Sequence, residues 1–132
     1  MKKLLAISGS MSKDSINNQL IDFTANHIPN SIIEIVKLSD FESPFYSKER
    51  ESEMGIPSSI EALREKFDSA DAFILSTPEY NGSIPGGLKN ALDWISRTEG
   101  KIFQDKPLLL MSTSPGGRGG KSVLDHLSAV VP

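Results

Sequence analysis

Ser76-Thr77-Pro78-Glu79-Tyr80-Asn81-Gly82-Ser83-Ile84-Pro85-Gly86-Gly87-Leu88-Lys89-Asn90-Ala91-Leu92-Asp93-Trp94 is the stretch that decides how the chain folds. Ahead of it, Ala72-Phe73-Ile74-Leu75 is an apolar run of the length expected for a strand buried on both faces. Behind it, Leu88, Ala91, Leu92 and Ile95 recur at helical spacing. Pro85 suits the first helical turn, where its missing N–H lacks a partner anyway. Between strand and helix the sequence predicts a loop punctuated by Pro78 and Gly82 and carrying Tyr80 and Asn81. Such a loop, at the carboxyl end of a buried parallel strand, is where open α/β sheets place their ligands. Its backbone amides, aromatic ring and side-chain amide suit the polar edge of a flat heterocycle. It is a candidate platform for a cofactor ring; the alternative is an ordinary strand-to-helix connection.

Composition narrows the classes. A chain of 132 residues, 38% hydrophobic and 23% charged, is one domain of globular type. Its 14 basic and 17 acidic residues are interspersed and sum to −3, which gives no nucleic-acid surface. Cysteine is absent, which excludes disulfides, thiolate nucleophiles and cysteine-held metal clusters. The N-terminal apolar run Leu4-Leu5-Ala6-Ile7 stops at Ser8-Gly9-Ser10, too short for a signal peptide or a membrane span. The expectation is a cytoplasmic protein, without membrane association, that begins with a buried strand.

After that strand, Ser8-Gly9-Ser10-Met11-Ser12-Lys13-Asp14-Ser15-Ile16-Asn17 leads into a helix bearing Leu20, Ile21 and Thr24 on one side. A loop rich in small hydroxyl residues that runs into a helix N-terminus can surround an anion with amides, hydroxyls and the positive end of the helix dipole. It is a candidate phosphate site; a purely structural serine cap is the alternative. Ser31 to Leu38 then reads as a second, β-branched strand, and Ser39 to Pro57 as a long irregular segment. Phe45 and Tyr46 within it are expected to be packed or at an interface. Ile60, Leu63, Phe67 and Ala70 mark an amphipathic helix capped near Ser58 and Ser59. A turn around Glu99-Gly100-Lys101 precedes a fourth buried strand, Lys106 to Ser112. Strand and helix alternating at this spacing call for an α/β fold with a parallel sheet.

The loop after the fourth strand, Thr113-Ser114-Pro115-Gly116-Gly117-Arg118-Gly119-Gly120-Lys121-Ser122, nearly spells a triphosphate-binding loop. Pro115 stands where that pattern requires its first glycine. The glycines are read instead as bringing backbone close to a flat ligand, with Arg118 beside it as an anion contact. A last helix carries Val123, Leu124, Leu127 and Val130 and runs out at Pro132. His27 and His126 lie far apart with no third ligand, so no metal site is expected. Asp93 reads as a helix-surface carboxylate, Glu79 as a group held outward or ordering its loop, and Trp94 as core or interface. No serine lies in a Gly-x-Ser-x-Gly elbow, which sets a hydrolase aside.

Pro78-Glu79-Tyr80-Asn81-Gly82-Ser83-Ile84-Pro85-Gly86, followed by Leu88-Lys89-Asn90-Ala91-Leu92-Asp93-Trp94, resembles the signature of the NADPH-dependent FMN reductase family. These are flavodoxin-like proteins that include many quinone, azo and chromate reductases. The family's first loop reads Gly-Ser-x-Arg-x-x-Ser-x-Asn; Gly9, Ser10, Ser15 and Asn17 match it, while Ser12 takes the place of the arginine, with Lys13 beside it. The resemblance implies a flavodoxin-like three-layer α/β/α fold with strand order 2-1-3-4, the first and third strands flanking the topological switch point. It treats residues 1–132 as a single FMN-binding domain, shortened at the C-terminus so that the family's fifth strand and last helix are absent.

The function so implied is an oxidoreductase with FMN as cofactor and NADPH or NADH as hydride donor. Its partner is a small-molecule electron acceptor, a free flavin, a quinone or a similar compound. The cofactor carries the reactive atoms, so no catalytic side chain is named. Ser10, Ser12, Ser15 and Asn17 are expected to hold the phosphate. Pro78, Glu79, Tyr80, Asn81 and Gly82 would border the flavin ring, and Ser114, Gly116, Gly117 and Arg118 would close its other side. A homodimer or tetramer is expected. Two other readings stay open: an FMN-binding electron carrier without nicotinamide activity, and a flavin-free relic acting through protein contacts. Asn17→Ala and Tyr80→Ala are each expected to weaken FMN binding in a fluorescence titration; unchanged affinity in both would remove the assignment of the two loops.

Overall fold

Alternation along four short strands divides the apolar residues between the two faces of one sheet. The computed structural model describes residues 1–131; the expected helix stop at Pro132 lies outside the described residues. The strands are β1 (Lys2–Ser8), β2 (Ser31–Lys37), β3 (Ala72–Ser76) and β4 (Leu108–Met111), all parallel in the order β2-β1-β3-β4. The expected α/β class and strand order are those observed. On one face, Leu5, Ile7, Phe73 and Leu75 build the larger core. Against it pack three helices, α3 (Ser58–Ser69), α4 (Gly86–Ile95) and α5 (Lys121–Val130). On the other face, Ala6 and Ile74 meet Ile21 of α1 (Ile16–Ala25). Parallel strands require such crossovers, which is why the helices cover both faces.

The helical stripes read for α3 and α4 are the buried ones, while in α5 Val123 and Leu127 are buried, Leu124 is half-buried and Val130, at the helix end, is 51% exposed. Ile60, Leu63 and Phe67 of α3 and Leu88, Ala91, Leu92 and Ile95 of α4 all enter the core. Phe67, Phe73 and Phe103 form a triangle of rings with centroids 5.1 to 5.4 Å apart, a spacing that suits tilted and edge-on contacts. Trp94 is fully buried and donates its indole N–H to the Pro44 carbonyl at 2.7 Å.

Four local expectations need correction. Residues 39–57 are not wholly irregular: a 3₁₀ turn spans Leu38–Phe41 and α2 spans Lys48–Met54. Because α2 buries none of its residues, it shows no apolar stripe; Ser47 caps it by accepting the Arg50 N–H at 3.1 Å. Pro57, not Ser58 or Ser59, precedes α3, and the Ser59 hydroxyl pairs with Ser43 at 2.8 Å instead. Pro85 occupies the N-cap of α4 rather than its first turn. β4 is shorter than expected and not fully buried, with Leu109 49% exposed, because among the described residues β3 is its sole strand neighbour.

The 42–51 segment is lashed to α4. The Asn90 side chain accepts the Tyr46 N–H at 2.9 Å and donates to the Pro44 carbonyl at 3.1 Å. Tyr46 packs edge-on against Trp94, as expected of a packed residue, while Phe45 is 75% exposed. Glu51 accepts both the Arg97 Nε–H and the Tyr46 hydroxyl at 2.8 Å. The Arg97 hydrogen bond first, then that of Tyr46, hold the Glu51 carboxyl below its ordinary value. A carboxyl depressed in the folded state stabilises above its unfolded value, and the contribution is lost as pH falls through the folded one. Glu51→Gln is therefore expected to lower the denaturation midpoint at neutral pH, with the gap to wild type closing in acid. A gap that persists unchanged below the carboxylate range would contradict the ion pair's role.

Candidate functional site

Three loops leave the carboxyl ends of β1, β3 and β4, and one buried amide joins their bases. Asn17, in the first turn of α1, is 1% exposed. Its Oδ1 accepts the Ser76 hydroxyl at 2.8 Å and the Thr113 N–H at 3.0 Å, while its Nδ2 donates to the Thr113 carbonyl at 3.1 Å. Ser76 closes β3 and Thr113 follows β4, so one side chain fixes the start of α1 against both neighbouring strand ends. Backbone bonds reinforce the joint: Gly9 donates to the Ser76 carbonyl at 2.8 Å and Thr77 to the Met111 carbonyl at 3.0 Å.

The first loop turns on its own serines. Ser10 accepts the Ser12 N–H at 3.1 Å, and Ser15 caps α1 by accepting the Asn17 N–H at 3.1 Å. The structural cap is thus present, and it also aims the positive end of a ten-residue helix at the cleft. Asn17 lines that cleft, but its side chain is committed to Ser76 and Thr113.

The second loop ends in a tight hairpin. Tyr80 and Ser83 exchange backbone hydrogen bonds at 3.0 and 3.1 Å around Asn81 (φ 52°) and Gly82 (φ 76°). Two successive positive φ values make a type I′ turn, for which Asn-Gly is the preferred pair. Tyr80, 45% exposed, stands at the base of that turn. Glu79 turns the other way and accepts the Val123 N–H of α5 at 2.8 Å.

The third loop returns to α5 through Gly120 at φ 82°. A Cβ there would lie 2.0 Å from the Ser112 hydroxyl, so backbone and strand end approach too closely for any other residue. That hydroxyl donates to the Thr77 carbonyl at 2.6 Å, tying the third loop to the second.

Between the loops lies an open cleft of about 370 Å³. Ser10, Ser12, Ser15 and Asn17 line it from the first loop, Pro78, Glu79 and Tyr80 from the second, and Ser114 from the third. These expected residues are brought together. Asn81 and Gly82 are not part of the lining; they form the turn tip. Gly116, Gly117 and Arg118 are exposed beyond it. Thr113 and Ser76, which sequence reasoning did not single out, carry the joint; their one local signal is a small polar residue at a strand's carboxyl end.

The donor set suits a phosphate with a flat ring attached. Three serine hydroxyls surround the end of α1, with Tyr80 and the hairpin backbone across the cleft. Among the described residues no lysine or arginine lines it, while Asp14 does. Lys13 lines a neighbouring depression together with Lys37. A phosphate here would be met by hydroxyls, amides and the helix dipole rather than by an ion pair. His126 pairs with the Ser83 hydroxyl at 2.8 Å, and no cluster that would hold a metal ion occurs among the described residues.

The chain is similar to known proteins along nearly its whole length. Residues 2–132 match the family model described as NADPH-dependent FMN reductase. The quinone reductase of Escherichia coli K12 is 35% identical over 129 residues, covering 98% of this chain and 69% of that protein. The NAD(P)H-dependent FMN reductase of Pseudomonas aeruginosa is 36% identical over 126 residues, covering 95% of this chain and 66% of that one. Among solved structures, the flavoenzyme NAD(P)H:(acceptor) oxidoreductase FerB of Paracoccus denitrificans superposes with a TM-score of 0.82 at 30% identity. That match covers 99% of this chain and 71% of FerB.

Removing the Asn17 amide strands the buried Ser76 hydroxyl and the half-buried N–H and carbonyl of Thr113. Asn17→Ala is expected to lower stability by roughly 2–3 kcal/mol in chemical denaturation, the scale for buried partners left unpaired. A loss under about 0.5 kcal/mol, that of an ordinary surface change, would show that the joint is dispensable.

Proposed function

This chain belongs to the NADPH-dependent FMN reductase family, and from that premise we propose an NAD(P)H-dependent oxidoreductase that uses FMN to reduce a quinone or free flavin. The observation that carries the reading is the single cleft of about 370 Å³ in which three strand-end loops meet. Open parallel sheets bind their ligands at this place.

Bound FMN supplies the redox chemistry, taking a hydride from NADPH or NADH and returning electrons to the acceptor. The protein's part is to hold and orient. Ser10, Ser12 and Ser15 would surround the phosphate at the N-terminus of α1, where hydroxyls and helix dipole act on the same charge. Pro78, Glu79 and Tyr80 would border the ring, largely through backbone groups, and Ser114 would face it from the third loop. Asn17 would hold these walls in register rather than hold the ligand. Asn81 and Gly82 shape the turn that presents Tyr80, and Gly116, Gly117 and Arg118 stand outside the cleft lining.

A homodimer or tetramer and a cytoplasmic setting are proposed with this function, on the family resemblance. Among the described residues no helix is long and apolar enough to cross a membrane.

The test is to purify the chain with added FMN, measure flavin absorbance and fluorescence quenching, and follow NADPH oxidation with a quinone as acceptor. Retained flavin and acceptor-dependent oxidation are expected. Flavin without nicotinamide oxidation would favour the electron carrier, and failure to bind flavin would overturn the proposal.

A further inference from the structure

We propose that Glu79 is a positioning residue that sets the width of the cleft by capping α5 from the opposite wall. The inference rests on the flavin reading for what the cleft holds; the contact itself does not.

The helix supplies no cap of its own. Its N-cap residue is Gly120, which has no side chain, and its first turn contains no acidic residue. The N–H of Val123, the third helical residue, is a donor that a capping side chain ordinarily satisfies. Here the Glu79 carboxylate accepts it at 2.8 Å from 44 positions earlier in the chain. Negative charge at this end also complements the helix dipole. Three residues further along α5, His126 meets the hydroxyl of Ser83 at 2.8 Å. The second loop is thus stitched to α5 at two points, a backbone N–H and a side chain.

The geometry couples two walls. The second loop carries Pro78 and Tyr80, and the third loop runs directly into α5 through Gly120. While Glu79 holds Val123, Tyr80 and Ser114 keep a fixed separation. When it lets go, α5 loses its cap and the far end of the third loop loses one of its ties, while Asn17 and Ser112 still hold its near end and the serines of the first loop are unchanged. Glu79 therefore acts on a flat ligand through the distance between the two walls and touches no reacting atom.

The experiment compares wild type with Glu79→Ala, Glu79→Asp and Glu79→Gln, reading amide hydrogen exchange of the flavin-free chain and FMN affinity by fluorescence quenching. Glu79→Ala is expected to speed exchange in the first turn of α5 and to weaken FMN binding, each by about tenfold, the scale of a lost cap. Glu79→Asp keeps the charge but is one methylene short, and should behave like alanine; it carries the test if the alanine variant does not fold. Glu79→Gln keeps the accepting oxygen and should restore both readouts to within about threefold of wild type, the remainder being the lost charge. Unchanged exchange at residues 122–126 in Glu79→Ala or Glu79→Asp overturns the proposal. So does Glu79→Gln with protected α5 amides but FMN affinity as poor as that of alanine. A wild-type chain that binds no FMN removes the flavin reading, and the exchange arm then still supports or overturns the clamp.

Discussion

One side-chain amide, that of Asn17, is the contact on which the rest of the site depends. It satisfies the buried Ser76 hydroxyl and both backbone groups of the half-buried Thr113. Buried polar groups are costly to leave unpaired, so the arrangement that pairs all of them is strongly preferred. That arrangement brings the start of α1, the end of β3 and the exit of β4 to one point. The sheet order β2-β1-β3-β4 makes this possible by setting β3 between β1 and β4. The cleft is the space above that joint.

Its electrostatics follow from the same placement. A phosphate placed above the joint would meet the end of α1 and three serine hydroxyls, with no lysine or arginine among the described lining residues. Such a site draws on dipoles and hydrogen bonds, which salt screens less than it screens exposed ion pairs. The one carboxylate that the second loop brings to the cleft is turned onto the N-terminus of α5, where its charge is compensated. Asp14 remains at the rim, facing outward enough to line the neighbouring depression as well.

The fold was legible in the sequence wherever apolar periodicity recorded burial. The four strands, the stripes of α3 and α4, half of the stripe of α5, and the strand order were readable, the order with the help of the family signature. α2 was not, because a helix that buries nothing leaves no stripe. Asn81-Gly82 was read as ligand-facing although the pair is itself a hairpin signal; residues chosen for positive φ look the same as residues chosen for contact. Asn17 was read as a cleft residue and does line the cleft, but its bonds to Ser76 and Thr113 were not foreseen, since bonds between positions 17, 76 and 113 leave no mark in any local window. The capping role of Glu79 was foreshadowed only as a loop-ordering carboxylate, for the same reason.

If the loops after β1, β3 and β4 form one binding wall, FMN must touch all three at once. An amide-resolved NMR titration with FMN tests it most directly. Saturable shifts clustered at residues 10–17, 78–80 and 113–115, moving with one common affinity, are expected. Shifts confined to one loop, or centred on the separate groove lined by Met11, Phe41 and Phe45, would contradict it.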